Sequence, residues 1–347
     1  MSPVRSILRW RARQRGFTLL ELLVVVLILS ALAFVALDTL QVDTNHVRFE
    51  DTRNRLLMMR DAVIGPRNVS LNGQPVIAGF VADVGRLPRC VQELVERVVD
   101  CDDTPGADPE SPREWVEDTV SGTRLYSGWR GPYISAIREQ ASGLAVFRDG
   151  WSNDLDGALP NHGWSLFDGS SGDLIVQSLG RDGVANTSDA TAYAALATYE
   201  QDFPPTTDPT GDPTTPPDPL VAAEEYSLSL DNIAVTLRND TAATITIAID
   251  SLCLRLYAPD PDAANPPILT RESGSAPDAA VSLPPGTQST ILVPFASTVE
   301  VPWGRRAIRL FQFSSSTCTT TEYNAQPIQQ ISLIPQAAFP EVVWAAQ

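Results

Sequence analysis

Residues 17–37 read FTLLELLVVVLILSALAFVAL, an apolar run interrupted by one charge, Glu21. Twenty-one residues at about 1.5 Å each make a helix of about 31 Å, the thickness of a bilayer core. The first fifteen residues carry Arg5, Arg9, Arg11, Arg13 and Arg15 and no acid. A basic flank of this kind stays cytoplasmic, so the chain beyond the run is expected outside the cytoplasm. An ordinary signal peptide has a shorter apolar region, no acid within it and a small-residue cleavage site after it, so that reading does not fit. Neither Pro nor Gly occurs again before Gly65-Pro66, and the helix is expected to continue to that point.

Glu21 needs an explanation. A carboxylate costs roughly 2.5–3.5 kcal/mol at the centre of a spanning helix, and somewhat less near its end. Cleavage between Gly16 and Phe17 supplies a partner, because it leaves a positive amine on Phe17 one helical turn from Glu21. The amine can belong to the same chain or to a neighbour in a parallel bundle.

Arg15-Gly16-Phe17-Thr18-Leu19-Leu20-Glu21-Leu22-Leu23-Val24 resembles the prepilin leader junction of type IV pilins and type II secretion pseudopilins. The resemblance implies that a membrane prepilin peptidase cuts after Gly16 and that Phe17 is N-methylated. It implies that Glu21 guides assembly by neutralising a neighbour's amine. It further implies a single-pass protein of the bacterial inner membrane with its head in the periplasm, working with other pseudopilin or pilin subunits, an inner-membrane assembly platform and a secreted substrate.

The second half of the helix carries Val42, Phe49, Leu56 and Val63 seven apart, widened by Leu57, Met59 and Ile64. That is an amphipathic stripe laid on a globular head. Met58 and Met59 read as core filler, and His46 on the stripe as packed or interfacial rather than a metal ligand. Val91, Leu94, Val95 and Val98 predict a short helix over 90–100.

The four cysteines form two groups, Cys90 with Cys101 and Cys253 with Cys318. An even count on an exported chain favours disulfides. Pairing within the groups is preferred, with the other two connectivities still open. Residues eleven apart on a straight helix would lie about 16 Å apart, whereas a disulfide needs Cα atoms within about 7 Å. The pair Cys90–Cys101 therefore requires the helix to end early and the chain to fold back.

Further on come Trp129-Arg130-Gly131-Pro132-Tyr133-Ile134, Arg148-Asp149-Gly150-Trp151 and Ser178-Leu179-Gly180-Arg181-Asp182-Gly183. In this order they resemble landmarks of the major pseudopilin of type II secretion, and the resemblance covers residues 1–203. It implies calcium held by Asp182, Asp189 and Ser188 with carbonyls near Leu179 and Val184. Such hard oxygen ligands suit that ion. Asn153-Asp154-Leu155-Asp156-Gly157 lacks the spacing and closing Glu of an EF-hand loop and reads as a turn.

Residues 203–219 hold seven Pro and read as an extended spacer between a head at 65–202 and a region at 220–347. Beyond it, short stretches of period-2 alternation separated by turn residues predict a β-sandwich-like domain. Leu252, Leu254 and Leu256 are expected on a buried face, with Cys253, Arg255 and Tyr257 on an exposed one. The fold class is thus α+β: a long N-terminal membrane-spanning helix packed on a pilin-like α/β head, followed by a C-terminal all-β sandwich-like domain.

The net charge is −17, or −22 once the five leader arginines are subtracted. Such a surface repels nucleic acid. His162 lies in a turn with no Gly-x-Ser-x-Gly elbow nearby, and no phosphate-cradling loop precedes a helix. The expected function is structural: a prepilin-type subunit of a type II secretion pseudopilus, not an enzyme. The alternative is a minor pilin or tip adhesin of a type IV pilus with the β domain as binding module.

Overall fold

The computed structural model describes residues 19–66, 69–71, 74–97, 101, 111–118, 122–139, 143, 145–153, 161–168, 172–180, 183, 219–259, 268–314, 317–323, 327–334 and 339–346. The leader and nearly all of the proline-rich spacer therefore lie outside the described residues. The chain forms two compact units, Met1–Arg48 and Phe49–Gln347.

Helix α1 is Leu19–Ile64. It ends where Gly65 takes φ 76° and Pro66 follows; a Cβ at Gly65 would collide with the Ala78 carbonyl. The side chains of its N-terminal apolar run are described from Leu19 to Phe34, about 24 Å at the helical rise. Among the described residues no helix is long and apolar enough to cross a membrane. The expected span of 17–37 extends past those limits at both ends.

In the second unit, Thr52, Leu56, Met59, Ala62, Val63 and Ile64 of α1 are buried. Leu57 and Met58 are exposed, against expectation, and so is His46 in the first unit. The reason is the 3.6-residue period: positions 52, 56, 59 and 63 share one face, while 57 and 58 point away from it.

The head contains two-residue strands β1 (Ser70–Leu71), β2 (Gln74–Pro75), β3 (Val116–Glu117), β4 (Tyr126–Ser127), β5 (Ile137–Arg138) and β6 (Ala145–Val146). A longer hairpin joins β7 (Trp164–Asp168) to β8 (Leu174–Ser178). Helix α2 (Phe80–Val84) is wholly buried. The helix expected over 90–100 is only a 3-10 turn, Val91–Leu94. Because it stops there, the chain returns and Cys90 bonds Cys101 with Cα atoms 5.6 Å apart.

The chain re-enters at Val221, whose backbone exchanges two hydrogen bonds with Leu174 of β8. After the short helix α3 (Ala223–Tyr226) come β9 (Ser227–Asn239), β10 (Ile245–Ile247), β11 (Leu252–Pro259), β12 (Ile268–Glu272), β13 (Val281–Leu283), β14 (Gln288–Pro302), β15 (Gly304–Ser314), β16 (Thr317–Glu322), β17 (Gln329–Leu333) and β18 (Val342–Ala346). One sheet has the order β14-β9-β18, a second runs β12-β11-β15-β16 with β17 also on β15, and β10 pairs with β13. Their inner faces share one core that includes Ile233, Val235, Leu237, Leu254, Leu256, Val293, Leu310 and Trp344. The C-terminal region is thus β-rich, as the alternation predicts.

The other face of β11 is not exposed. Cys253 packs with Phe311 and Cys318, to which it is disulfide-bonded, and Tyr257 packs with Ala307 and the head residue Leu125. The alternation was right about direction and wrong about solvent, because the head and β16 cover that face.

Candidate functional site

The N-terminal part of α1 is apolar on every side. Successive helical residues turn by about 100°, and the consecutive Leu22, Leu23, Val24 and Val25 are all about half exposed or more. A helix apolar all round is stable only within lipid or among other apolar helices. Glu21, in its first turn, supplies the acid.

Residues 11–37 match the prokaryotic N-terminal methylation motif. This is the N-terminal segment of a prepilin-type, type IV pilin-like protein. No curated protein and no solved structure matches the chain. The motif implies processing by a prepilin peptidase, membrane anchoring through the N-terminal segment and assembly with other pilin-type subunits. Gly16 and Phe17 lie outside the described residues.

In the head of this prepilin-type chain, two of the three landmarks meet. The buried Asp149 carboxylate accepts the Ser178 hydroxyl at 2.7 Å, the Asn153 side-chain amide at 2.9 Å and the Asn153 backbone N–H at 3.1 Å. The same Asn153 amide donates to the Gly180 carbonyl at 2.6 Å. Burial pushes the Asp149 carboxyl above its usual range, while these donors pull it down. The knot also grips α1: the Gly150 N–H donates to Thr52 Oγ1 at 3.0 Å, and Arg55 Nη1 to the Arg148 carbonyl at 2.9 Å. Arg148 in turn pairs with Glu139 at 2.6 Å. These two landmark elements therefore fix how the helix meets the head and where the loop after Gly180 begins.

In that loop, buried Leu179 uses its carbonyl to accept the Gly183 N–H at 3.1 Å. Asp182, Val184, Ser188 and Asp189 lie outside the described residues. Among the described residues, no three His, Cys, Asp or Glu side chains stand close enough to hold a metal.

The third landmark organises a different place. Tyr133 donates to Asp83 Oδ2 at 3.1 Å, and Arg130 pairs with the same oxygen at 3.3 Å. Asp83 is buried, which raises its carboxyl despite Arg130. Burial and the Asp83 charge together push the Tyr133 phenol up. On the β side of this point stands Arg306, fully buried, donating to the carbonyls of Pro302, Trp303 and Arg305. Desolvation lowers its pKa to about 9, and Asp83 opposes that shift. Trp303 lies in the head core with Leu56, Met59 and Phe80. Gly304 is held at φ 135° against Ala82, where a Cβ would stand 3.0 Å from the Ala82 carbonyl.

Sequence reasoning missed Asp83, Trp303 and Arg306. The only signal was the pattern Pro-Trp-Gly-Arg-Arg at 302–306, a large aromatic and paired charges at a hairpin turn.

Proposed function

We propose that this chain is a subunit of a type II secretion pseudopilus, anchored in the bacterial inner membrane with its head in the periplasm. The observation that carries this reading is the bonding of Asp149 to Ser178 and Asn153, because it joins two elements that resemble the major pseudopilin. Cleavage after Gly16 frees the amine of Phe17. Glu21, one turn away, then neutralises that amine in a neighbouring chain, and the apolar faces of the helices pack side by side. Removing the leader and recruiting the subunit become one event, since the amine exists only after the cut.

Intact mass after co-expression with a prepilin peptidase tests the processing. The expected product begins at N-methyl-Phe17; an uncut chain, or a cut after residue 30, sinks the assignment. Cross-linking to secretion-system subunits supports the pseudopilus. Cross-linking to pilus subunits instead supports the second reading, a minor pilin or tip adhesin. The β-rich region with its own core favours that second reading, being large for a densely repeated subunit.

Calcium is part of the proposal. Asp182 and Asp189, with Ser188 and carbonyls at Leu179 and Val184, would give a hard oxygen set that rigidifies the loop. A chelator is expected to lower the melting temperature, and Asp182→Ala to abolish that response.

A further inference from the structure

Between the head and the sheets opens a cleft of about 140 Å³. Asp83 and three arginines, Arg124, Arg130 and Arg305, line it. Arg130 is committed to Asp83 and also lies 5.1 Å from the Trp115 ring. Arg124 and Arg305 are exposed, and their guanidinium groups make no hydrogen bond or ion pair among the described residues. Trp115 stacks on Tyr126 with centroids 5.8 Å apart, and Glu117 accepts the Tyr126 hydroxyl at 3.1 Å, fixing that ring. Half of Tyr126 remains exposed beside the arginines. The lining sets three cations against Asp83, with Glu117 beside it at the Tyr126 hydroxyl, and this is the reverse of the chain as a whole, whose net charge is −17.

We propose that this cleft binds the carboxylate-bearing ring of an acidic sugar, a hexuronate. Two guanidinium forks with no partner among the described residues match a planar carboxylate. The flat, half-exposed Tyr126 ring offers apolar area with a polar tip, which suits a sugar ring carrying C–H groups on its face. The volume is close to the roughly 150 Å³ that holds a six-membered ring in a protein cavity, so one ring enters and the rest of any glycan projects out. An Asp or Glu of a partner protein would satisfy the arginines but leave the Tyr126 face uncovered. The acidic surface elsewhere is screened beyond about 8 Å at physiological salt, so the local cations decide binding of a single charge. A polyanion that runs across the surface is repelled. The ligand is therefore one uronate, free or at the end of an otherwise neutral glycan.

Titration of the full-length, detergent-solubilised protein by calorimetry tests this. The probes are glucuronate and galacturonate, a disaccharide ending in glucuronate, glucose as the neutral control, and a glutamate-containing peptide. Saturable binding of a uronate, without binding of glucose, is expected. Binding of the free acid points to a free ligand, and binding of the disaccharide alone to a glycan end; either supports the proposal. Arg305→Gln and Arg124→Asn should each weaken binding by about tenfold, the latter chosen because Asn tolerates the φ of 54° at that position. Tyr126→Ala should weaken it and Tyr126→Phe should not. Unchanged melting temperatures in the arginine variants exclude misfolding. The proposal is overturned by no uronate binding, by equal binding of glucose, by competition from the peptide as strong as from the acid, or by arginine variants that bind like wild type.

Discussion

Asp149 shows how one side chain can order a head. It is buried yet accepts three hydrogen bonds, and two of its donors come from Asn153, which also holds Gly180. Its folded pKa is raised from 3.8, chiefly by desolvation. An acid that keeps its proton longer when folded contributes most stability below its unfolded pKa, and that contribution falls away as pH rises through the folded value. Wild type should therefore lose part of its stability as pH rises above 3.8 and through the raised folded value. Asp149→Asn should flatten that slope, and at neutral pH it should cost about 1–3 kcal/mol, since an amide faces donors with a donor of its own. Chemical denaturation across that pH range checks both. An unchanged slope would place the titrating group elsewhere, with Asp83, raised for the same reason, next to be tested.

At the scale of elements, the second half of α1 is held by a narrow apolar stripe and by polar ties at Thr52, Arg55 and Arg60, the last pairing with Glu225 at 3.0 Å. Adjacent methionines give a sharp contrast. Met59 is fully buried and Met58 is exposed. Met59→Ala should destabilise the protein by about 2–5 kcal/mol, and Met58→Ala by no more than about 0.5 kcal/mol. Urea midpoints of the two variants measure this; equal effects would mean that the helix sits in a different rotation. The two disulfides close loops of very different size, 11 and 65 residues apart in sequence. On chain-entropy grounds, replacing Cys253 and Cys318 together by Ala should cost about 4 kcal/mol and replacing Cys90 and Cys101 about 3 kcal/mol. The ordering of the two melting temperatures is the test.

At the scale of the molecule, head and sheets share material although a proline-rich spacer separates them in sequence. Trp303 and Val221 lie in the head core, Leu125 packs on Tyr257, and Arg306 approaches Asp83. The region from Phe49 onward should thus melt in one transition. Trp303→Ala, which empties a site in the head core, should cost about 3–5 kcal/mol and split the melt into two steps. Proteolysis within 203–219 should leave the two fragments associated on a sizing column. Independent elution of the fragments, or two transitions in wild type, would show that the shared core does not couple them.

The apolar run, its lone acid and the basic stretch before it were legible without any fold, because a run of one character and a short motif are local in sequence. So was the alternation of β9, β11, β14 and β15, since a half-buried strand writes its period into the chain. The helical stripe was readable in kind but not in rotation, as Leu57 and Met58 show, because seven-residue spacing drifts around a 3.6-residue helix. What stayed hidden depends on partners far apart in the chain. Leu256 was correctly placed inside, yet nothing near Tyr257 announced that Leu125 would cover it. The Asp149 knot spans 29 residues to Ser178, and the charge of Asp83 acts on Arg306 from more than two hundred residues away in sequence. By itself the sequence determined the methylation motif at 11–37 and the strands. Only the tertiary structure decided how head and sheets share a core and open a cationic cleft, because burial and charge at such a place are set by which distant surfaces meet.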